Sequence, residues 1–421
     1  MKRQCPATTR RLIFYVMIFV LMPMLLSGCF FDLVKSESAI IDSAGKITGT
    51  VKLANGDGQS LVVMLMALKT GESAFVQKNF VRTGRDGRFV FHAQPGHYYI
   101  LAYLDVNKDG IYQEHEFASY YGKPDVITVK SGRVVTLKTM VVANRLSIDM
   151  DSANIRDETH RAIKNIGRVV SLDDRIFSDE NEKTGMWMPA RFLRDIGGGL
   201  FQLQAFNPEK IPVIFIHGIN GGPNDWKQVI KGLDHERYQP WVLQYPSGLR
   251  LDMVSDYLVR AVYDLKLKLG FNQVYLIAHS MGGLVARSFV MKYSQRYPLS
   301  ARCIGLMMTI NTPLSGFKRA QMGVKHSPVV VPSWRDVAKG SDFLQKLATW
   351  TWPEAIPYYL VFSYQDAGYG DGVVSIESQL PMQYQIEANK VFAINNTHAG
   401  TLDDAIFSNL LRKILDSQAS K

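Results

Sequence analysis

Cysteine is scarce, with three in 421 residues, at positions 5, 29 and 303. That is too few for a disulfide framework, so core packing has to hold the fold. Strong charge is missing too. Lys and Arg number 48 against 38 Asp and Glu, and Lys2, Arg3, Arg10 and Arg11 crowd the first residues. Without those four the excess falls from +10 to +6. No basic run is interleaved with aromatics, which argues against a nucleic-acid partner. The apolar run Leu12–Leu26 is short, basic at its front and broken by Pro23. Such a run reads as a secretory signal rather than a spanning helix. What is present is a 47% hydrophobic, 20% charged chain, globular and long enough for two domains.

The apolar run ends in Leu26-Ser-Gly-Cys29, which resembles a bacterial lipobox. The resemblance implies cleavage before Cys29 and lipidation of its sulfur, with residues 1–28 removed as a lipoprotein signal. Several acyl chains would attach the protein stably to a membrane. Phe30 rather than Asp follows the cysteine, so the outer membrane of the cell envelope is the expected location. Cys5 leaves with the signal, and Cys303, in the apolar stretch CIGLMMTI, is expected to be buried and inert.

Residues 29–45 read as a polar tether, and 46–144 as successive strands. KITGTVKL, SLVVMLMAL, RFVFHA and HYYILAYLD are separated by turn residues, the pattern of a small all-β sandwich. GKITGTV, GRDGRFVF and PGHYYILAYLD resemble the prealbumin-like or carboxypeptidase-regulatory-like modules of secreted proteins. Inside this region Asp105-Val-Asn-Lys-Asp-Gly-Ile-Tyr-Gln-Glu-His-Glu116 meets the spacing of a calcium loop. Asp105, Asn107, Asp109, the Ile111 carbonyl and Glu116 would supply the oxygens of a structural Ca²⁺ site. A strand rather than a helix leads into the loop, so an ion-free polar hairpin is the competing reading.

Residues 145–186 read as linker and leading segment. From 187 to 421 apolar runs alternate with helical segments: IPVIFIHG, PWVLQYP, VYLIAHS, CIGLMMTINTP, YYLVFSY and KVFAIN. Buried strands alternating with amphipathic helices predict an α/β fold, a mostly parallel sheet covered on both faces. Ligands of such sheets lie at the carboxyl ends of the strands, where the conspicuous residues fall. Ala-His-Ser280-Met-Gly-Gly puts a serine between a strand and a helix. A tight turn there lifts the hydroxyl clear of the sheet and aims the helix N-terminus at the reacting centre. Ala278 stands where glycine is usual, and its small side chain is compatible with the turn.

HGINGGPNDW, AHSMGGLVAR, NTP, DGVVS and NTHAG occur in that order, and together they resemble the α/β-hydrolase superfamily and its triacylglycerol-lipase-like branch. The resemblance implies Ser280 as nucleophile and backbone N–H groups of Ile219 and Met281 as the oxyanion hole. It implies His398 as the base, directly after the last strand, whereas His326 falls in the insertion before YYLVFSY. For the acid, Asp366 and Asp371 compete, and the DGVV phrase favours Asp371. His217 and His279 adjoin the motifs in structural or site-lining roles. Residues 315–357, rich in apolar and aromatic side chains, are expected to form a cap. The expected activity is hydrolysis of carboxylic esters, lipid or acyl-ester substrates favoured, by a Ser-His-Asp acyl-enzyme route that requires no cofactor. The same triad serves acyl transfer and amide or thioester cleavage, and a catalytically silent surface binding protein is the rival outside enzymology.

Overall fold

The structure is a computed structural model that describes residues 22–56, 60–68, 75–107, 110–121, 126–145, 156–157, 161–365 and 369–419. Among the described residues the helix Met22–Ser43 comes first. It is followed by two β-sheets whose strands carry the turn-punctuated sequences noted above. In one, β1 (Gly45–Leu53) pairs antiparallel with β4 (Arg88–Ala93) and parallel with β8 (Val134–Thr136) and β9 (Met140–Val142). In the other, β2 (Val62–Leu68) lies between β3 (Phe75–Arg82) and β5 (Gly96–Tyr103). Strand β5 also pairs with β6 (Phe117–Tyr121) and β7 (Ile127–Val129), and the short β10 (Asn144–Arg145) and β11 (Arg156–Asp157) finish the two edges. The inward residues Ile47, Val51, Val63, Leu65, Phe89, Phe91, Ile100 and Val142 of both sheets share one core. Period-2 alternation that buries one face of each sheet against the other is a sandwich.

The third sheet holds β12 (Gly199–Gln202), β13 (Ile211–Ile216), β14 (Tyr238–Gln244), β15 (Val274–His279), β16 (Ile304–Ile310), β17 (Tyr358–Tyr364) and β18 (Lys390–Asn395). Its order is β12-β14-β13-β15-β16-β17-β18, with β12 antiparallel and every other pair parallel. Both faces are covered, so all six residues of β15 are buried. Alternate residues go to different cores: Ile214, Ile216, Leu276 and Ala278 to one, Val213, Phe215, Tyr275 and Ile277 to the other. A continuous apolar run is what burial on both faces demands. Helices Leu251–Leu269 and Met281–Arg296 pack on the first face, and the C-terminal helix Ala405–Ala419 on the second.

Two segments differ from expectation. Residues 29–45 are no loose tether, because the helix through Ser43 buries Val34, Glu37, Ser38 and Ile41. Glu37 accepts the Arg191 N–H at 2.8 Å, and Asp42 pairs with Arg335 at 2.7 Å. Nor is 145–186 only linker. Phe177 is fully buried edge-on to Phe201, and Ser178 caps the helix Asp179–Trp187 by accepting the Asn181 N–H. In both places polar residues facing outward mask a narrow buried stripe. Cys303 is buried as expected, and burial pushes its thiol up to about 11.

Candidate active site

Three non-glycine residues among those described have positive φ: Asn220, Ser280 and Asn311. All three follow carboxyl ends of neighbouring strands, β13, β15 and β16. Strained backbone of this kind costs about 1–3 kcal/mol per residue and persists only where the surroundings hold it. Ser280 has φ 53° and ψ −129°, and its N–H donates to the Ile310 carbonyl at 2.8 Å. The turn needs bare backbone around it. A Cβ on Gly282 would fall on the carbonyl oxygens of Ile216 and His217, and one on Gly283 would fall on the Thr312 hydroxyl. A Cβ on Gly218 would come within 2.9 Å of the Ser280 Cβ. Ala278 itself fits, fully buried in the first core.

The loop after β13 lies against the serine. His217 is buried and stacks on Tyr245 with ring centroids 4.1 Å apart, while the Tyr245 hydroxyl donates to the His217 carbonyl at 2.7 Å. Burial holds the His217 imidazole down to about 4, so it is neutral at pH 7. Asn220 N–H donates to Ser247 Oγ at 2.9 Å, which fixes the loop after Ile219. Neither the Ile219 N–H nor the Met281 N–H donates to a protein acceptor among the described residues. Met281 opens a helix, where unpaired N–H groups and the dipole favour negative charge.

Beyond β17 and β18 the chain brings Asp371 and His398 together. Asp371 Oδ2 lies 2.6 Å from His398 Nδ1, and its Oδ1 accepts the N–H groups of Val373 and Val374 at 2.9 and 2.7 Å. The carboxylate is wholly buried, whereas the imidazole is 12% exposed. Gly370 (φ 135°) and Gly372 (φ 88°) flank the acid and allow the loop to fold back on itself. With Nδ1–H given to the carboxylate, Nε2 is left as an acceptor. Asp366 lies outside the described residues, and His326 ends the exposed helix Lys318–His326 away from this pair.

Three residues hold the histidine and its acid in place: His279, for which a structural or site-lining role was expected, and Asn311 and Gln379, to which no role was assigned. His279 Nε2 donates to the His398 carbonyl at 3.0 Å, and the two rings are 4.7 Å apart. Burial, reinforced by the nearby His398, pushes His279 down to about 3 and keeps it a neutral donor. Asn311 Nδ2 donates to the same carbonyl at 2.9 Å. Gln379, buried, donates to the carbonyls of Ser363 and Val374 at 3.1 Å, tying the end of β17 to the acid loop. The one sequence signal was Asn311 in the Asn-Thr-Pro that ends β16, since asparagine tolerates positive φ.

Residues 315–357 form the helices Lys318–His326, Pro332–Val337 and Asp342–Thr349 between β16 and β17. The last of these and the segment after it are core, with Leu344 and Leu347 of the helix and Trp352 and Ile356 beyond it joining the first face of the sheet. The middle part reaches the site instead. Val329, Val331 and Trp334 cluster with Ile219, Met186, Trp187 and Val34.

The expected calcium oxygens are arranged differently. Asp105 pairs with Arg82 at 2.6 Å and accepts the Gly110 N–H at 3.0 Å. Glu116 accepts the Val106 and Gln113 N–H groups at 2.9 and 3.0 Å, and Asp109 lies outside the described residues. Protein donors take Asp105 Oδ2 and both Glu116 oxygens, while Asp105 Oδ1 is buried with no hydrogen-bond partner among the described residues.

Residues 211–330 match the family described as alpha/beta hydrolase fold. No curated protein matches the chain. Among solved structures, the mature lipase BlEst2 of Bacillus licheniformis is 15% identical, covering 50% of this chain and 93% of that one at a TM-score of 0.41. Est1E from Butyrivibrio proteoclasticus is 17% identical over 53% and 93%, at a TM-score of 0.38. An aryl esterase described as putative, from Burkholderia cenocepacia, is 14% identical over 52% and 94%, at 0.36. The strand order, the strand-to-helix turn at Ser280 and the family match define the class: an α/β-hydrolase fold preceded by a small all-β sandwich.

Proposed function

We propose that the chain is a serine hydrolase that cleaves carboxylic esters through an acyl-enzyme. The observation that carries this reading is the buried Asp371 carboxylate 2.6 Å from His398 Nδ1, with the His398 backbone pinned to His279, the residue before Ser280. His398 takes the Ser280 proton as the hydroxyl attacks the ester carbonyl, then gives it to the leaving alcohol. Asp371 fixes the tautomer and stabilises the imidazolium. The Ile219 and Met281 N–H groups receive the oxyanion, each worth about 3 kcal/mol in the transition state. Water then deacylates the serine by the same base. Acyl chains are the favoured substrate, because the apolar cluster of Ile219 with Val329, Val331 and Trp334 lies beside that oxyanion site. Ser280→Ala is expected to keep the fold and lose hydrolysis of short p-nitrophenyl esters by at least about 10³-fold. Unchanged turnover would refute the assignment.

The proposal extends to a membrane anchor at Cys29. Among the described residues no helix is long and apolar enough to cross a membrane, and the support for an anchor is the Leu26-Ser-Gly-Cys29 sequence. Labelled palmitate fed to expressing bacteria is expected to mark the protein and to miss Cys29→Ala. Equal labelling of the two would remove the anchor.

A further inference from the structure

The sandwich and the sheet domain meet along the helix Leu251–Leu269, and a half-open cavity of about 180 Å³ lies at their seam. Its walls are mainly apolar, with Phe80, Val81 and Phe91 from the sandwich facing Leu193, Leu249 and Met253. At one end stands Arg260, whose guanidinium lies over the Phe80 ring at 4.3 Å. Its Nε reaches Asp264 at 3.4 Å and its Nη1 donates to the Asn79 side chain. The third nitrogen, Nη2, is buried and has no acceptor. The whole residue is only 7% exposed. An unmet cationic donor in a dry wall is costly, and native structures give such groups a partner.

Charge around the seam fits an anion. Lys46, Arg260, Lys292 and Arg296 engage the three carboxylates Asp252, Asp256 and Asp264. His92 also faces Asp256, at 2.8 Å. Among the groups that line the cavity, Arg260 and Arg296 stand against the single carboxylate Asp256, while Asp264 beside Arg260 keeps its own Oδ1 buried without a partner. The volume exceeds the ~150 Å³ engineered cavity that takes benzene, room enough for a small aliphatic acid.

We infer that this seam is a binding site for a short-chain aliphatic monocarboxylate. The tail lies among Phe80, Leu193, Leu249 and Met253, and the carboxylate accepts from Arg260 Nη2. Tyr245 also lines the cavity, and its hydroxyl holds the His217 carbonyl at the start of the oxyanion loop. A bound acid therefore touches the residue that positions that loop. The ligand class is also that of the acid released in the proposed reaction; only this last link rests on the ester-hydrolase reading.

The test uses the full chain carrying Ser280→Ala, so that binding at the catalytic serine is separated from binding at the seam. Ligand-observed NMR titrations with sodium hexanoate and with hexanol are run on three proteins: this parent, parent plus Arg260→Met, and parent plus Leu193→Trp. The parent is expected to bind hexanoate saturably with a Kd of about 1 mM. Arg260→Met should weaken hexanoate at least tenfold while sparing hexanol, and Leu193→Trp, which adds bulk to the apolar wall, should abolish both. Absence of saturable hexanoate binding by the parent overturns the site. So does hexanoate binding that survives Leu193→Trp unchanged. If Arg260→Met fails to fold, the Leu193→Trp result decides alone.

Discussion

Ser280 sits in a backbone conformation that a serine adopts only under constraint, and the constraint is visible as glycines with no room for a side chain. Gly218, Gly282 and Gly283 each face an atom where a Cβ would go. These, and the bend at Ala278-His-Ser280, were legible because the turn is local. The roles of His279 and Asn311 were not, since they reach the His398 carbonyl across 119 and 87 positions. Glu182 escaped notice for the same reason. It packs on Gly222 in the loop after β13, where a Cβ would meet its carboxyl, and its Oε1 is buried without a partner. Burial, then the charges of Asp225 and Asp179, push Glu182 up to about 7; burial pushes Asp225 up to about 6. Because the folded value exceeds the unfolded one, near 4.3 for glutamate, the native state holds the extra proton between them. Stability from this group is intact below that window and is lost as pH rises through about 7. Glu182→Gln should therefore melt higher than the parent at pH 8 and no higher at about pH 4. A gap of equal size at both pH values would show that Glu182 is not held protonated.

The helix Met281–Arg296 does more than carry the serine's dipole. Arg287, in the same motif, is wholly buried and pairs with Glu387 at 2.7 Å. Its guanidinium faces the rings of Trp350, Trp352 and Tyr384 at 5.6, 5.3 and 4.4 Å. This one side chain clamps both the insertion between β16 and β17 and the helix Met382–Glu387 to the helix that follows Ser280. Arg287→Ala removes the cation and strands Glu387, a loss of about 3–5 kcal/mol for a broken buried pair. Urea unfolding should show that loss, and a change under 1 kcal/mol would mean that the aromatic box stands without its cation. Strands β13–β17 could be read directly, since parallel strands covered on both faces advertise themselves as apolar runs. The helix Met22–Ser43 could not, because a segment with one buried stripe looks like a polar tether when its docking surface, at Arg191 and Arg335, lies far along the chain.

The molecule as a whole joins its two parts by charge as well as by apolar contact. Lys46 and His92 of the sandwich meet Asp252 and Asp256 of the helix Leu251–Leu269, with Lys292 closing the group at 2.7 and 3.0 Å. Burial opposes ionisation of Asp256, yet Lys292 and His92 hold it well below the usual carboxylate range. The sandwich therefore abuts the helix Leu251–Leu269, a position that its strand pattern gave no means of seeing. Sequence placed the two units in order and left their mutual fit unstated, because that fit depends on pairs more than 160 residues apart. Everything functional in this account converges on one hydroxyl. The most direct measurement is labelling of the full chain by a fluorophosphonate probe, read by intact-protein mass. One adduct is predicted on the parent chain, mapped to Ser280, with none on Ser280→Ala and much slower labelling of His398→Ala. A parent chain that takes no probe, or a Ser280→Ala variant that takes it equally, would contradict the assignment of Ser280 as the nucleophile.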